Sequence, residues 1–277
     1  MGRRRAVFGT VGVTLVAALG ALGASGAGGA GLVPPRNPVR DVPANPAYSL
    51  ASGVSYTVGQ ALPPCWAWRG TTLTLSATSG ACVAAELAAT DHARALEHLS
   101  ALRLPRNWAR LSVAEQLFVL ADLERVSRGE APILGLSRTL DAEAQVGAVH
   151  DADPLMSARV AGATGAYAAN WAGGDNALDA NYSWMYLDGW AGAATRNADC
   201  TTVGAPGCWG HRDNILIDPA REPCPRRGCA YVMGAGYVAG GAGAGYGSFS
   251  ELIVQVAGAR PPLYYTWREA RAAGARP

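Results

Sequence analysis

The 277-residue chain contains no lysine, so all 23 of its basic side chains are arginine. Lysine serves as an amine nucleophile or forms a Schiff base, and its absence excludes both kinds of chemistry. Charge is also scarce, because only 16% of the residues are charged and the formal net charge is +2. A nucleic-acid partner normally needs a clustered basic face, so this balance argues against nucleic-acid binding.

Several enzyme signatures are missing as well. No G-x-S-x-G follows a predicted strand, and no phosphate-binding or dinucleotide-binding loop joins a strand to a helix. No C-x-x-C pair is present, which weakens any prediction of a cysteine-based zinc cluster. The sequence therefore offers no support for a serine hydrolase or a nucleotide-binding protein, and only weak support for a zinc cluster.

The first 47 residues predict export from the cell. Arg3, Arg4 and Arg5 precede an apolar run from Ala6 to Leu22, and small residues follow at 24–27. This order is typical of a signal peptide, here residues 1–27, with an uncleaved anchor as the alternative. Residues 28–47 are rich in proline and glycine and are interpreted as a linker. We therefore expect a secreted, extracellular protein.

The chain has six cysteines, and an even number in an exported protein predicts disulfide bonds. Six cysteines allow 15 pairings, so the sequence alone does not fix the connectivity. Proximity along the chain favours three short loops, namely Cys65–Cys82, Cys200–Cys208 and Cys224–Cys229.

Hydrophobic patterns divide the remaining chain into three parts. Residues 48–108 form an N-terminal extension, with a strand at 71–76 and a helix from Cys82 to Leu102. The apolar stripe predicted to be buried on that helix consists of Ala84, Ala88, Ala95, Leu99 and Leu102. Residues 109–258 form the main domain, and residues 259–277 are interpreted as a peripheral tail.

The main domain begins with helices and ends with strands. Ser112 and Glu115 form a predicted capping box, and Ser137 is predicted to cap a helix that runs to Val149. A further helix is predicted around residues 178–187, and an antiparallel hairpin joins strands at 230–238 and 248–256. This order predicts an α+β fold in which helices pack on a small antiparallel sheet.

His211 is the most suggestive residue of the chain. Gly210 permits a tight turn, and the segment that follows is predicted to be a short helix. A histidine in a first helical turn lies at the positive end of the helix dipole, which disfavours its protonated form. The neutral imidazole is then able to bind a metal or accept a proton, although a capping or core histidine gives the same pattern.

His150, Asp175 and Asp188 complete the set of candidate groups. Two imidazoles and a carboxylate make a plausible open metal site, for zinc or calcium, formed by His211, Asp175 and His150. The same set also suits a general base with an orienting carboxylate. The plainer alternatives are that His150 is a helix C-terminal cation and that Asp175 is a turn residue.

Several segments resemble one known family. The run from Gly210 to Leu216 resembles the G-H-R-x-N-I-L signature of bacterial CAP-domain proteins. These belong to the secreted SCP/TAPS superfamily, which includes pathogenesis-related and cysteine-rich secretory proteins. Five further matches are the N-x-x-R-like run Asp122–Arg125, Leu140 with Ala144, the Gly-Glu-Asn-like turn Gly174–Asn176, Trp184–Met185, and the strand-like run Gly234–Tyr237. Asp122 and Asp175 depart from the pattern, and Arg159 stands near the place of the family's first metal-binding histidine.

The resemblance implies an α-β-α sandwich with an open groove around His211. Groove and binding positions would be Asp188, Asn176, Trp184 and Arg212. The expected function is to bind an extracellular lipid, glycan or protein as a monomer, with a divalent metal at the site. The alternative is an extracellular hydrolase, acting on peptides or the cell wall, in which a histidine and an aspartate activate water.

Overall fold

The computed structural model describes residues 37–38, 55–191, 200–217, 228–242 and 246–277. The predicted signal peptide and nearly all of the predicted linker lie outside these ranges. All of the described residues belong to one compact unit. Within the described ranges, no helix has both the length and the apolar character that crossing a bilayer requires.

A small hairpin opens the described part of the extension. Strand β1 (Trp66–Arg69) pairs antiparallel with β2 (Thr72–Leu75), which confirms the strand predicted there. The disulfide Cys65–Cys82 joins this hairpin to helix α1 (Gly80–Leu96). A second disulfide, Cys200–Cys208, is also as predicted. These bonds indicate an oxidising, extracellular-type environment. Cys229 is disulfide-bonded too, but its predicted partner Cys224 lies outside the described residues.

Helix α1 differs from its prediction in length and in orientation. It ends at Leu96, before His98 takes a left-handed conformation with φ 61°. The predicted stripe was wrong, because its three alanines are exposed. The buried positions of the helix are Cys82, Glu86, Thr90, Ala93 and Arg94. Periodicity alone missed this face because an arginine and a glutamate are buried on it with partners from other segments.

In the described residues, five more helices follow in chain order. They are α2 (Val113–Ser127), α3 (Arg138–His150), α4 (Ala177–Tyr186), α5 (Gly210–Ile215) and α6 (Trp267–Ala272). The capping box of Ser112 and Glu115 at the start of α2 is confirmed. Ser137 precedes α3 as predicted, but its side chain makes no capping hydrogen bond. A 3-10 turn, Trp108–Arg110, leads into α2.

The main sheet has five strands in the order β4-β6-β5-β3-β7. They are β3 (Gly135–Leu136), β4 (Ala163–Gly174), β5 (Ala230–Val238), β6 (Gly247–Val256) and β7 (Tyr265–Thr266). The predicted antiparallel hairpin is the β5–β6 pair. The sheet is mixed rather than wholly antiparallel, because β3 pairs parallel with β5. Strand β4 was not predicted, since its glycines and alanines give no strand-like alternation.

Helices cover both faces of this sheet. Leu252 and Val254 of β6 pack with Leu140 of α3, whereas Ile253 joins the larger core that contains α2 and α4. A Cβ at Gly234 of β5 would lie 2.0 Å from the backbone of Leu140, so glycine is required for this close approach. The fold is therefore of the α+β class, with buried apolar layers on the two sides of the strands.

The C-terminal segment is part of the core rather than a peripheral tail. Strand β7 pairs antiparallel with β3, and Trp267 and Ala270 of α6 are buried. Thr266 and Glu269 form a capping box at the start of α6. The sequence missed this packing because the segment is short and rich in arginine and alanine.

Candidate functional site

The site around His211 begins with an unusual turn. Trp209, and not Gly210, takes the left-handed conformation, with φ 66°. Its backbone N–H donates to the carbonyl oxygen of Asp188 at 2.7 Å. A Cβ at Gly189 would lie 2.1 Å from the Trp209 ring, so that glycine makes room for the indole. The turn is thereby fixed against the segment that follows α4.

Asp188 binds both the backbone and the ring of His211. The backbone N–H of His211 donates to Asp188 Oδ2 at 2.7 Å, and the ring Nδ1 lies 2.8 Å from Asp188 Oδ1. On the outer side, His211 Nε2 lies 3.5 Å from Asp153 Oδ1. Asp188 is buried, whereas the side chains of His211 and Asp153 are 28% and 51% exposed. The ring therefore lies between a buried and an exposed carboxylate.

The electrostatics of this arrangement reverse the expectation for His211. Burial lowers the pKa of the ring, but hydrogen bonds and attraction from Asp153 and Asp188 outweigh it and raise the pKa to about 10. The helix dipole acts in the other direction, and two nearby carboxylates are stronger than a six-residue helix. At neutral pH the ring is an imidazolium, which neither ligates a metal nor accepts a proton.

A polar network anchors α5 on the inner side. Asn170 Nδ2 of β4 donates to the carbonyl oxygen of His211 at 3.1 Å and to Glu251 Oε1 at 2.8 Å. Asn214 Nδ2 donates to Asn170 Oδ1 and to the backbone oxygen of Ala169, both at 2.9 Å. Burial raises the pKa of Glu251 to about 8, with Asn170 and His211 opposing the shift. Glu251 is therefore largely protonated at neutral pH.

Arg212 and Trp184, both predicted at the groove, are instead buried inside the protein. The Arg212 guanidinium donates to both carboxylate oxygens of Glu97, at 3.0 and 2.6 Å, and to the carbonyl oxygen of Met185 at 2.7 Å. Glu97 also pairs with Arg128, so this network joins α1 to α2 and α5. Trp184 is 2% exposed within the main core. Neither side chain is placed to touch a ligand.

Asp175 is not at His211. It immediately precedes Asn176, the N-cap of α4, whereas Asp188 lies just after the other end. A ten-residue helix is about 15 Å long, so the helix separates the two groups by roughly this distance. Both carboxylate oxygens of Asp175 are buried and have no hydrogen-bond partner among the described residues. Burial raises the pKa of Asp175 to about 7, and burial together with the neighbouring Asp175 raises that of Asp179 to about 7.

The predicted metal-ligand set does not converge. His150 is exposed at the end of α3, and ligand atoms of His150, Asp175 and His211 do not come within 4.8 Å of one another. Among the described residues, the group that meets this distance is Cys65, Cys82 and Glu86. Its two cysteines form a disulfide bond and so offer no thiolate to a metal.

Asp188 is the one predicted groove residue that contacts His211. Three other residues of the site were missed, namely Asp153, Asn170 and Glu251. A glutamate inside the apolar run of β6 was a usable signal, because a carboxylate rarely lies in a buried strand without a partner. Asp153 lies just after the end of α3, where no local sequence pattern links it to His211.

The chain matches no protein-family model, no curated protein and no solved structure. The CAP resemblance therefore stays a prediction from motifs. Those motif residues have physical roles here, because His211, Arg212 and Asn214 each fix α5 to a different neighbouring element.

Proposed function

We propose that this protein is an exported CAP-like binding domain that holds an extracellular glycan at the His211 face without hydrolysing it. The helices on both sides of the sheet and the anchoring roles of the G-H-R-x-N-I-L residues support a sandwich of the CAP type. The signal peptide predicted from residues 1–27 and the disulfides support an extracellular location.

The observation that carries the proposal is the His211–Asp153 pair at the surface. The 3.5 Å between Nε2 and Oδ1 is long for a charged hydrogen bond. A sugar hydroxyl that approaches from the solvent side can therefore bridge the two groups, accepting from the imidazolium and donating to the carboxylate. Both side chains are partly exposed and charged, which favours a ligand rich in hydroxyl groups over a lipid.

The hydrolase alternative is weaker on the same geometry. A general base needs an unprotonated ring at working pH, and two carboxylates hold His211 in the protonated form. The residues present also do not fit a zinc or calcium ion at this face, because His150 and Asp175 lie elsewhere and the ligand atoms of His211, Asp153 and Asp188 do not all lie within 4.8 Å of one another. The proposed binding function involves no metal.

Glycan binding is tested by titrating soluble cell-wall fragments and chitin oligosaccharides into the purified protein by calorimetry. Asp153→Asn removes the exposed carboxylate and is expected to weaken binding about tenfold, the loss typical of one charge-assisted hydrogen bond. Asp151→Asn removes an exposed charge two residues away and should leave affinity unchanged.

Three results would contradict the proposal. One is the absence of binding to any glycan, and another is equal affinity in both variants. The third is a His211-dependent release of cleavage products, detected by mass spectrometry, which would indicate the hydrolase instead. Binding of a casein peptide in place of glycans would indicate a polypeptide ligand.

A further inference from the structure

A cavity of about 240 Å³ lies at the N-terminal end of α4, far from His211. It forms where the start of α1, the 3-10 turn before α2 and the start of α4 meet. Its apolar lining side chains include Val83, Trp108 and Leu178, and its polar ones are Thr78, Gln116 and Asn176.

Hydrogen bonds hold the cavity walls in place. Asn176 Nδ2 donates to the carbonyl oxygen of Ala77 at 2.9 Å, and Gln116 Nε2 donates to that of Trp108 at 3.1 Å. The disulfide at Cys82 fixes the first turn of α1 beside the same wall. These hydrogen bonds and the disulfide join the extension to the main domain around the cavity. The cavity is therefore formed before any ligand binds.

The chemistry of the walls selects the ligand. None of the residues that line the cavity is charged, so an ionic ligand would lose its hydration without gaining a counter-ion. Trp108 offers an indole to a flat ring, while Thr78 and Gln116 supply oxygen atoms for a hydrogen bond. At about 30 Å³ per water, the volume equals roughly eight waters, enough for one small ring.

From these observations we infer that the cavity is a second binding site, for a neutral molecule with one apolar ring and a single hydroxyl or amide group. The site is separated from the His211 face by the length of α4, about 15 Å. Its occupancy is independent of glycan binding, and the two are tested separately.

Benzyl alcohol is the probe, with toluene and benzoate for comparison, in saturation-transfer NMR on the full protein. Benzyl alcohol should bind with a Kd on the order of 1 mM, as expected for eight non-hydrogen atoms. Toluene should bind more weakly and benzoate not at all. Ala109→Phe adds a bulky ring at an exposed position that lines the cavity and should reduce the benzyl alcohol signal at least fivefold. Ala101→Phe is the matched control, because Ala101 is also exposed and does not line the cavity.

A second variant keeps the test decisive if Ala109→Phe disturbs the fold. Thr78→Val preserves the shape of the side chain but removes the hydroxyl, and should abolish the preference for benzyl alcohol over toluene. The inference is overturned if no probe gives a signal at 10 mM (about ten times the expected Kd). It is also overturned if Ala109→Phe binds as the control does, or if benzoate binds as well as benzyl alcohol.

Discussion

The two ends of α4 differ in whether their charged groups have partners of opposite charge. Beyond its C-terminal end, the His211 imidazolium faces two carboxylates, and the nearby Arg212 guanidinium is bound to Glu97. At its N-terminal end, Asp175 has two buried carboxylate oxygens with no partner in the described part of the chain, beside the carboxyl group of Asp179. Paired charges therefore stabilise the C-terminal end, whereas at the N-terminal end burial favours the protonated, uncharged carboxyl groups.

This difference gives the two ends separate pH windows. His211 has a folded-state pKa above its ordinary value of 6.5, so its contribution is complete below pH 6.5 and is lost as the pH rises through about 10. Asp175 also has a raised pKa, so the folded state is favoured below about pH 3.8 and loses stability as the pH rises to about 7. Both groups therefore lower the stability of the fold as the pH rises, but they do so in two pH ranges that barely overlap.

The largest effect is expected from breaking the buried pair at the C-terminal end. Arg212→Ala leaves Glu97 with one fewer partner and should lower the free energy of unfolding by about 3–5 kcal/mol. Urea denaturation followed by circular dichroism measures the change. Arg110→Ala removes an exposed arginine and should cost less than about 0.5 kcal/mol. A loss below about 1 kcal/mol in Arg212→Ala would show that the buried network contributes little.

The second effect concerns His211. A rise in pKa from 6.5 to about 10 corresponds to several kcal/mol, roughly halved here because the ring is partly exposed. The stability difference between wild type and His211→Ala should therefore shrink by about 2 kcal/mol from pH 6 to pH 10.5. His92→Ala, an exposed histidine on α1, should give no such change. A difference that stays constant with pH would mean that the ring is neutral.

The third effect has the opposite direction. Asp175→Asn keeps the shape of the side chain and removes the buried charge, so it should stabilise the protein by about 1–2 kcal/mol at pH 8. At pH 4 the wild-type carboxyl is protonated in the folded state, and the difference should nearly vanish. Thermal unfolding at both pH values tests this, with the exposed Asp151→Asn as the control. Destabilisation at pH 8 would mean that a cation pairs with Asp175.

Local rules predicted part of this structure from the sequence. The capping box at Ser112 and the β5–β6 hairpin depend on residues close together in the chain, and both are confirmed. The buried face of α1 was missed because its arginine finds Glu124 on another helix, 30 residues away. Periodicity assumes that buried residues are apolar, and ion pairs between helices break that assumption.

Of the site, the sequence predicted mainly His211 itself, because the partners of this residue come from distant parts of the chain. The pattern around His211 is local, but its carboxylates come from Asp188 and from Asp153, which is 58 positions away in sequence numbering. The glycine-rich segment before α4 also hid a long strand. As a result Asn170, inside that strand, lies at His211, while the more conspicuous Asp175 lies beyond its end.

The smallest effect is expected from metal removal. This experiment also tests whether any metal affinity lies at the α5 face or at the cluster of Cys65, Cys82 and Glu86. Because His211 is protonated and His150 and Asp175 lie apart from it, EDTA or added zinc should shift Tm by less than about 1 °C. Elemental analysis should find no stoichiometric metal in the oxidised protein.

Reducing the disulfides gives a positive control, since Cys65, Cys82 and Glu86 then present three ligand atoms within 4.8 Å. Zinc that stabilises only the reduced protein, and not its Cys82→Ser variant, would assign metal affinity to that cluster. If zinc stabilises the oxidised protein and this stabilisation is lost in His211→Ala, the metal site lies at the α5 face. The His211 ring is then not an imidazolium.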